Sequence, residues 1–250
     1  MQLGDPMNEK TTRQSGIALV IGAGGGLGAA LVERLAQSGD SVGAYQAVLS
    51  LGRSTHPPLD YGDEASMLAA SRWVAARCAD LQGELRLLVV ASGFLHGETG
   101  QPERSWTQLD ANYLSQVFRI NAIGPALVMK HFLPLFPKRG RCVAGFVSAK
   151  VGSIGDNALG GWYGYRASKA ALNQLVKTAS IELGRYNRQA ICVSLHPGTV
   201  DTALSRPFAK TGLTVRPAPE AAENLLDVLA ALTPADTGAL IDYQGHRLPW

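Results

Sequence analysis

Residues 16–29 read G-I-A-L-V-I-G-A-G-G-G-L-G-A, and this stretch decides the fold of the 250-residue chain. Residues 16–22 form a short apolar run of strand length, and residues 29–37 (A-A-L-V-E-R-L-A-Q) have the apolar spacing of a helix. The glycines between them lack Cβ atoms, which lets a pyrophosphate approach the backbone N–H groups at a helix N-terminus. The stretch therefore predicts a strand, a tight turn and a helix that bind a dinucleotide.

Two glycine spacings overlap in this turn. Gly24-x-Gly26-x-x-Ala29 fits the general dinucleotide fingerprint, and Gly22-x-x-x-Gly26-x-Gly28 is a second spacing. The alternative is a flexible glycine-rich loop, which the strand before it and the helix after it disfavour. The cofactor contacts expected here are Gly22, Gly24, Gly26, Leu27 and Gly28.

A second signal is the segment Y-R-A-S-K at residues 165–169. Tyr165 and Lys169 lie four residues apart on a helical stripe whose other members are apolar: Leu172, Val176, Ala179 and Leu183. Burying an ammonium is costly without partners, so a lysine on that face indicates a polar ligand or a catalytic pocket. The spacing alone is a weak signal, because many Tyr-x-x-x-Lys pairs are simple surface contacts.

Composition limits the remaining classes. With 46% hydrophobic and 17% charged residues, the chain can bury one large core. The net charge of +3, the absence of a basic run and the lack of an apolar segment of ~18 residues argue against nucleic-acid and membrane partners. Residues 1–15 are polar and lack the apolar centre of a signal peptide, so they are predicted to form a flexible leader of a cytoplasmic protein.

The cysteines follow no metal-site pattern. Cys78, Cys142 and Cys192 have apolar neighbours and no metal-ligand spacing, so we expect buried, reduced thiols and no metal site.

Strand-like and helix-like segments alternate along the chain, which is typical of a doubly wound parallel sheet. Strands are predicted near 17–22, 46–52, 85–91, 142–148, 190–195 and 239–242, and helices near 26–38, 64–79, 110–133, 162–185 and 218–232. The predicted class is α/β, a single Rossmann-type domain over residues 16–250 with helices on both faces of the sheet. Ligands bind at the carboxyl ends of such strands, so Gly22, Arg53, Ser92, Ser148 and Pro197 should share one edge.

The end of the second strand bears on the choice of cofactor. Folds that prefer NAD carry Asp or Glu there, whereas this chain has Arg53 and Ser54 in L-S-L-G-R-S. A guanidinium suits a 2′-phosphate, so NADP(H) is favoured over NAD(H). The alternative is that Arg53 is only a solvated loop charge.

Four motifs in order carry a family resemblance: Gly22-x-x-x-Gly26-x-Gly28, Asn121 in F-R-I-N-A-I-G-P, Tyr165-x-x-x-Lys169 and Pro197-Gly198. Their order and intervals resemble the short-chain dehydrogenase/reductase family over nearly the whole chain. Four further segments resemble the C-factor-like branch, which is related to the sniffer carbonyl reductases: G-S-I-G-D-N, G-Y-R-A-S-K-A-A-L-N, L-H-P-G-T-V-D-T-A-L-S-R-P-F and D-Y-Q-G-H-R-L-P-W.

The resemblance implies hydride transfer between a nicotinamide and a small-molecule carbonyl or alcohol. Tyr165 would exchange the proton on the substrate oxygen, while Lys169 would lower the pKa of the phenol and hold the nicotinamide ribose. Asn121 would open its helix and anchor a water that relays protons to Lys169. The alternative for Asn121 is a core amide bonded only to neighbouring backbone.

The resemblance also implies further cofactor contacts. Asp60 and Tyr61 resemble the family's Asp-Val pair at the adenine, and Val200 and Thr202 stand where relatives contact the nicotinamide amide and the phosphates. The family's Asn-Asn-Ala-Gly is replaced by Val90-Ala91-Ser92-Gly93, which lacks both asparagines. The remaining expected contacts are Ala91, Ser92, Gly93, Pro197 and Gly198.

One element of the family pattern is missing. The catalytic serine is usually the second of S-S-x-x-G, and counting back from Gly152 puts Ala149 there, with Ser148 one residue earlier. Successive strand residues face opposite sides, so Ser148 substitutes only if the strand end is bulged or already turning. Ser148 is taken as the best available donor.

Several features remain open from the sequence. Residues 203–219 are rich in Pro and Gly and are predicted to form a mobile substrate lid. The family commonly forms dimers or tetramers through the two long helices that here carry Asn121 and Tyr165. Two alternative functions are an NAD(H)-dependent alcohol dehydrogenase and a nucleotide-binding signalling or regulatory protein with little catalysis.

Overall fold

The structure, a computed structural model, describes residues 16–37, 45–98, 100–208 and 214–250. The predicted leader, residues 1–15, lies outside the described residues, as do residues 209–213 of the predicted lid.

A seven-stranded sheet forms the centre of the fold. The described residues form seven strands of this sheet and two shorter strands outside it. In chain order, all of them are β1 (Gly16–Ile21), β2 (Ala47–Leu51), β3 (Glu84–Val90), β4 (Cys142–Val147), β5 (Ala190–His196), β6 (Thr199–Val200), β7 (Val215–Arg216), β8 (Leu240–Asp242) and β9 (Arg247–Leu248). The sheet has the order β2-β1-β3-β4-β5-β8-β9, in which only β9 runs antiparallel to its neighbour. Strands β6 and β7 pair separately beside it.

Helices cover both faces of this sheet. They are α1 (Gly26–Gln37), α2 (Glu64–Asp80), α3 (Ala111–Phe118), α4 (Gly124–Phe132), α5 (Tyr163–Tyr186) and α6 (Ala218–Ala231). Buried side chains of α2, α4 and α5 share one core, and those of α1 and α6 share the other. Both faces are therefore buried, which is why the strands are almost continuously apolar.

Strand β1 shows how one sequence serves both cores. Ile17, Leu19 and Ile21 belong to the core under α2, α4 and α5, whereas Ala18 and Val20 belong to the core under α1 and α6. The side chains alternate because successive strand residues point to opposite faces. The predicted doubly wound α/β fold is confirmed, and its strand and helix positions agree to within about two residues.

The predicted helix over 110–133 is not uniform. A π-helical segment, Arg119–Ile123, separates α3 from α4. Insertions of this kind occur most often at functional sites, and this one carries Asn121. The opening of the helix agrees with what the family resemblance implied.

Cys142 and Cys192 are buried, free thiols, as predicted, whereas Cys78 is only half-buried. Burial raises the pKa of Cys142 to about 11 and that of Cys192 to about 12, which keeps both protonated at neutral pH. Among the helices that the structure describes, none has the length and apolar character needed to cross a bilayer.

Candidate active site

A cleft of about 1440 Å³ runs along the carboxyl ends of the parallel strands. It begins at the turn between β1 and α1, passes the ends of β2, β3, β4 and β5, and ends at the segment after β5. The structure brings nearly all the predicted site residues to its lining, from Gly22 to Thr202. Two of them, Gly28 and Asn121, lie behind the lining and support it.

The glycine-rich turn is shaped by close backbone approach. A Cβ on Gly28 would lie 2.2 Å from the Gly22 carbonyl oxygen, so the turn packs on α1 only with a glycine there. Gly22 has φ +89°, and a Cβ on it would lie 2.7 Å from the Ser92 nitrogen. Gly24 and Gly25 are exposed in the cleft at the N-terminus of α1, which leaves their backbone open to a pyrophosphate.

Arg53 and Asp60 lie at the end of the cleft beside β2. Arg53 is exposed, and within the described ranges its guanidinium forms no hydrogen bond or ion pair. The Asp60 carboxylate accepts a hydrogen bond of 2.8 Å from the backbone N–H of Gly62. Arg53 is therefore a cation available to a ligand, although its exposure also fits the solvated-charge alternative.

Tyr61 has a supporting position that the sequence did not indicate. Its ring lies against Gly124, where a Cβ would come within 2.3 Å of the ring. Its hydroxyl is hydrogen-bonded to the Ser92 hydroxyl, and burial raises the pKa of Tyr61 to about 12. The Tyr61 side chain thus ties the loop after β2 to the end of β3 and to the start of α4.

Asn121 connects the π-helical segment to the loop after β3. Its side-chain oxygen accepts a hydrogen bond from the Phe94 N–H at 2.8 Å, and its amide group donates to the Phe94 carbonyl at 2.8 Å. The amide also donates to the Ser168 hydroxyl on α5 at 3.1 Å. Asn121 is completely buried, so these three bonds satisfy an amide that would otherwise be costly to bury.

Helix α5 places Tyr165 and Lys169 one turn apart in the floor of the cleft. Lys169 is 2% exposed, and its Nζ donates a hydrogen bond of 2.8 Å to the Val147 carbonyl at the end of β4. The same Nζ lies 5.9 Å from the centre of the Tyr165 ring. No group in the described part of the chain hydrogen-bonds the Tyr165 hydroxyl, which therefore has capacity for a ligand.

Burial shifts both groups toward their neutral forms. It raises the pKa of Tyr165 to about 12 and lowers the pKa of Lys169 to about 7. The sequence argument expected the ammonium to lower the pKa of the phenol. In this structure desolvation outweighs that effect, because burial disfavours both the phenolate and the ammonium.

The structure separates the two candidates for the serine position. Ser148 is buried, and its hydroxyl donates a hydrogen bond of 2.7 Å to the Asn173 side-chain oxygen, two helical turns beyond Tyr165. Ala149, the next residue, packs in a cluster with Tyr165 and Leu95. Strand β4 ends at Val147, so Ser148 lies just beyond the strand with its proton already donated within the protein.

Three aromatic side chains, Trp162, Phe208 and His96, form a row beside Tyr165, which we call the aromatic wall. The Trp162 ring meets the Tyr165 ring edge-on at a centroid distance of 6.1 Å, and Phe208 meets Trp162 at 5.3 Å. His96 continues the row against Phe208 at 5.4 Å, and its Nε2 lies 3.1 Å from the Ala203 carbonyl. Leu95 and Leu204 complete an apolar pocket around the phenol.

Sequence reasoning did not single out Trp162, Phe208 or His96. Trp162 has a left-handed backbone (φ +53°) that is uncommon outside glycine, and it follows two glycines that also have positive φ. The segment G-G-W before the helix was the available signal for this turn. Nothing in the sequence around His96 indicates its position, which results from the packing of two distant loops.

The short chain dehydrogenase family model matches residues 16–212. This chain belongs to the short-chain dehydrogenase/reductase family. The C-signal of Myxococcus xanthus is 36% identical over 148 residues, which are 58% of this chain and 85% of that protein. The 1-hydroxy-2-glutathionyl-2-methyl-3-butene dehydrogenase of Rhodococcus sp. (strain AD45) is 28% identical over 93% of this chain and 98% of its own.

Two solved structures share the fold over nearly the whole chain. An NADPH-bound carbonyl reductase from chicken fatty liver has a TM-score of 0.80 at 25% identity and covers 95% of both chains. The carbonyl reductase Sniffer of D. melanogaster has a TM-score of 0.79 at 23% identity, over 95% of this chain and 100% of that one. This short-chain dehydrogenase/reductase belongs to the C-factor-like branch and is an NAD(P)-dependent oxidoreductase that acts on a small molecule.

The buried lysine predicts how stability depends on pH in the cofactor-free enzyme. The folded pKa of Lys169 is about 7, and the unfolded value is about 10.4. Between these values the unfolded chain binds more protons, so the free energy of unfolding should rise with pH. Lys169→Met should therefore stabilise the protein most at pH 6, and its advantage should shrink by about 2–3 kcal/mol by pH 9.

Urea unfolding at the two pH values measures this change. Lys177→Met, an exposed position on the same helix, is the matched control. An advantage of Lys169→Met that grows with pH would contradict the assignment of a buried, destabilised ammonium.

Proposed function

We propose that this enzyme is an NADPH-dependent carbonyl reductase. The observation that carries the proposal is the Tyr165 hydroxyl, which lies on the floor of the cleft, without a hydrogen-bond partner in the described chain, beneath an aromatic wall. This phenol is protonated at neutral pH, and burial raises its pKa further, to about 12. The protonated form is the one that a carbonyl oxygen needs as it gains a hydride.

The residues of the cleft fit a dinucleotide. The turn around Gly24 offers open backbone at a helix N-terminus, and a side chain on Gly26 would come within 3.1 Å of Thr202 and narrow this cradle. When bound, the reduced nicotinamide supplies the hydride. Pro197, Gly198 and Val200 would hold that end, and Lys169 would hold the ribose.

Each proposed catalytic residue has one task. Tyr165 donates its proton to the substrate oxygen. Lys169 stabilises the phenolate that remains, since an ammonium near a developing negative charge favours it. Asn121 is hydrogen-bonded to Phe94 in the loop after β3 and to Ser168 on α5. It therefore holds this loop and helix α5 in a fixed relative position.

The pocket favours an apolar group beside the carbonyl. Trp162, Phe208 and Leu204 surround the phenol with apolar and aromatic surface. A charged or sugar-like substituent would lack hydrogen-bond partners against this surface. The predicted lid over 203–219 contributes two of these three residues. Its role as a lid remains a proposal.

Arg53 supports NADPH over NADH. It is an exposed cation at the end of β2 with no ion pair in the described ranges, and no Asp or Glu occupies that strand end. A guanidinium forms strong charge-assisted hydrogen bonds with a phosphate. The alternative, an NAD(H)-dependent alcohol dehydrogenase, would gain nothing from this side chain.

A signalling role is the second candidate, because a relative at 36% identity is named C-signal and because Ala149 stands at the serine position. Assembly into a homodimer or homotetramer is proposed through the helical segment from α3 to α4, which carries Asn121, and through α5, which carries Tyr165. Ile123 and Ile181, beside and on these helices, are each 52% exposed, which supports a covered surface there.

The proton donor is tested by Tyr165→Phe. The variant should bind NADPH as tightly as the parent and lose nearly all carbonyl reduction, because only the transferable proton is removed. NADPH fluorescence titration and NADPH oxidation with an aryl ketone measure the two effects. Tyr163→Phe on the same helix is the control, and substantial turnover by Tyr165→Phe would remove Tyr165 from this role.

The cofactor preference is tested by Arg53→Ala. We expect the parent to bind NADPH at least about tenfold more tightly than NADH, and the variant to lose most of that margin. Titration of both cofactors measures it, with the exposed Arg72→Ala as the control. Equal affinities in the parent protein would favour the NAD(H) alternative.

The serine position is tested by a pair of substitutions. Ala149→Ser should raise turnover, because it adds a second donor beside Tyr165, and one well-placed donor is worth roughly 10²–10³ in rate. Ser148→Ala should change the rate little once it is folded, because its proton is already donated to Asn173. Steady-state kinetics on one carbonyl substrate compare the two. A large loss in Ser148→Ala alone would restore Ser148 as the donor.

A further inference from the structure

Glu103 is a buried carboxylate with no cationic partner. It is 2% exposed, and no Lys, Arg or His in the described chain forms an ion pair with it. Its side-chain oxygens both face the backbone N–H of Gly164, at 3.1 and 3.2 Å. Burying a carboxylate without a cation is costly, and hydrogen bonds from free N–H groups at the start of a helix offset that cost.

The start of helix α5 depends on this residue. Trp162, the residue before the helix, has a left-handed backbone and provides no side-chain cap. The Glu103 carbonyl accepts the Trp162 N–H at 2.5 Å, and the Glu103 carboxylate accepts the Gly164 N–H. One residue of a distant loop thus satisfies two N–H groups that flank the first residue of the helix.

The geometry around Gly164 leaves little freedom. A Cβ there would lie 2.9 Å from Leu114 and 3.0 Å from the Glu103 carboxylate. The close approach places the carboxylate against the first turn of α5, at the residue before Tyr165.

The segment before Glu103 is anchored just after β3, at Phe94 and Leu95. It begins at Phe94, which is bonded to Asn121, and the Tyr113 hydroxyl donates to the Leu95 carbonyl at 2.7 Å. Glu103 follows these anchored residues in the chain, and its own contacts hold the first turn of α5. A shift of this turn would move both Tyr165 and Trp162.

From these contacts we infer that Glu103 is a positioning residue for Tyr165, acting as a tertiary cap of the catalytic helix through its hydrogen bond and not through its charge. The inference rests on the proposed role of Tyr165. It assigns a task to a residue that does not line the cleft. A small misplacement of a reacting group is enough to cost a large factor in rate.

Three substitutions separate reach from charge. Glu103→Gln keeps an acceptor of the same length, Glu103→Asp keeps the charge but is one methylene shorter, and Glu103→Ala removes both. We expect Glu103→Asp and Glu103→Ala to lower kcat by at least about tenfold with little change in the KM for NADPH, and Glu103→Gln to retain most activity. Glu98→Gln, an exposed position in the same loop, is the control.

Hydrogen exchange gives a readout that does not depend on turnover. Backbone amides of residues 162–166 should exchange faster in Glu103→Asp and Glu103→Ala than in the parent, and Glu103→Gln should protect them. Parent-like kcat and exchange in Glu103→Ala, or a Glu103→Gln variant as impaired as Glu103→Ala, would overturn the inference. A parent enzyme that reduces no carbonyl would instead overturn the proposed function, while the exchange experiment would still test the cap.

Discussion

The constraint on which the rest of the site depends is the burial of the Lys169 ammonium against the end of β4. Its only hydrogen bond in the described structure is to the Val147 carbonyl, so α5 must lie with this face directly on the strand end. That placement sets Tyr165 one turn earlier, under the opening of the cleft. Burying the Lys169 ammonium with one hydrogen bond costs free energy, and a bound ligand that adds hydrogen bonds would offset this cost. Groups that are destabilised in this way are found most often at functional sites.

The sequence could predict those features that follow from local pattern. Strand β1 and the glycine turn are recognisable because an apolar run, a cluster of glycines and a helical pattern follow each other directly. The structure shows why Gly22 and Gly28 are needed, since both are in close contact with backbone. The Tyr165 and Lys169 pair was visible as polar residues on an apolar stripe. In both cases residues adjacent in sequence are adjacent in the structure.

Features made by distant loops could not be predicted in this way. Glu103 lies 61 residues from Gly164, and its loop has no pattern that indicates a cap. The bond between Tyr61 and Ser92 joins two loops in a similar manner and supports the turn that lacks the family's asparagines. Ser148 is a related case, since the strand pattern indicates its side of the sheet but not its partner, Asn173.

Ala149 brings no hydroxyl beside Tyr165, so in the proposed reaction Tyr165 is the donor to the substrate oxygen. One hydrogen bond stabilises developing charge more strongly in dry surroundings than in water, because the local dielectric is lower. Trp162 and Phe208 provide such surroundings: the Glu103 carbonyl accepts the Trp162 N–H, and Phe208 ends a short 3-10 turn and packs edge-on against Trp162. We therefore connect the aromatic wall with the alanine at residue 149: in the proposed reductase, exclusion of water and accurate placement of one phenol would compensate for the missing hydroxyl.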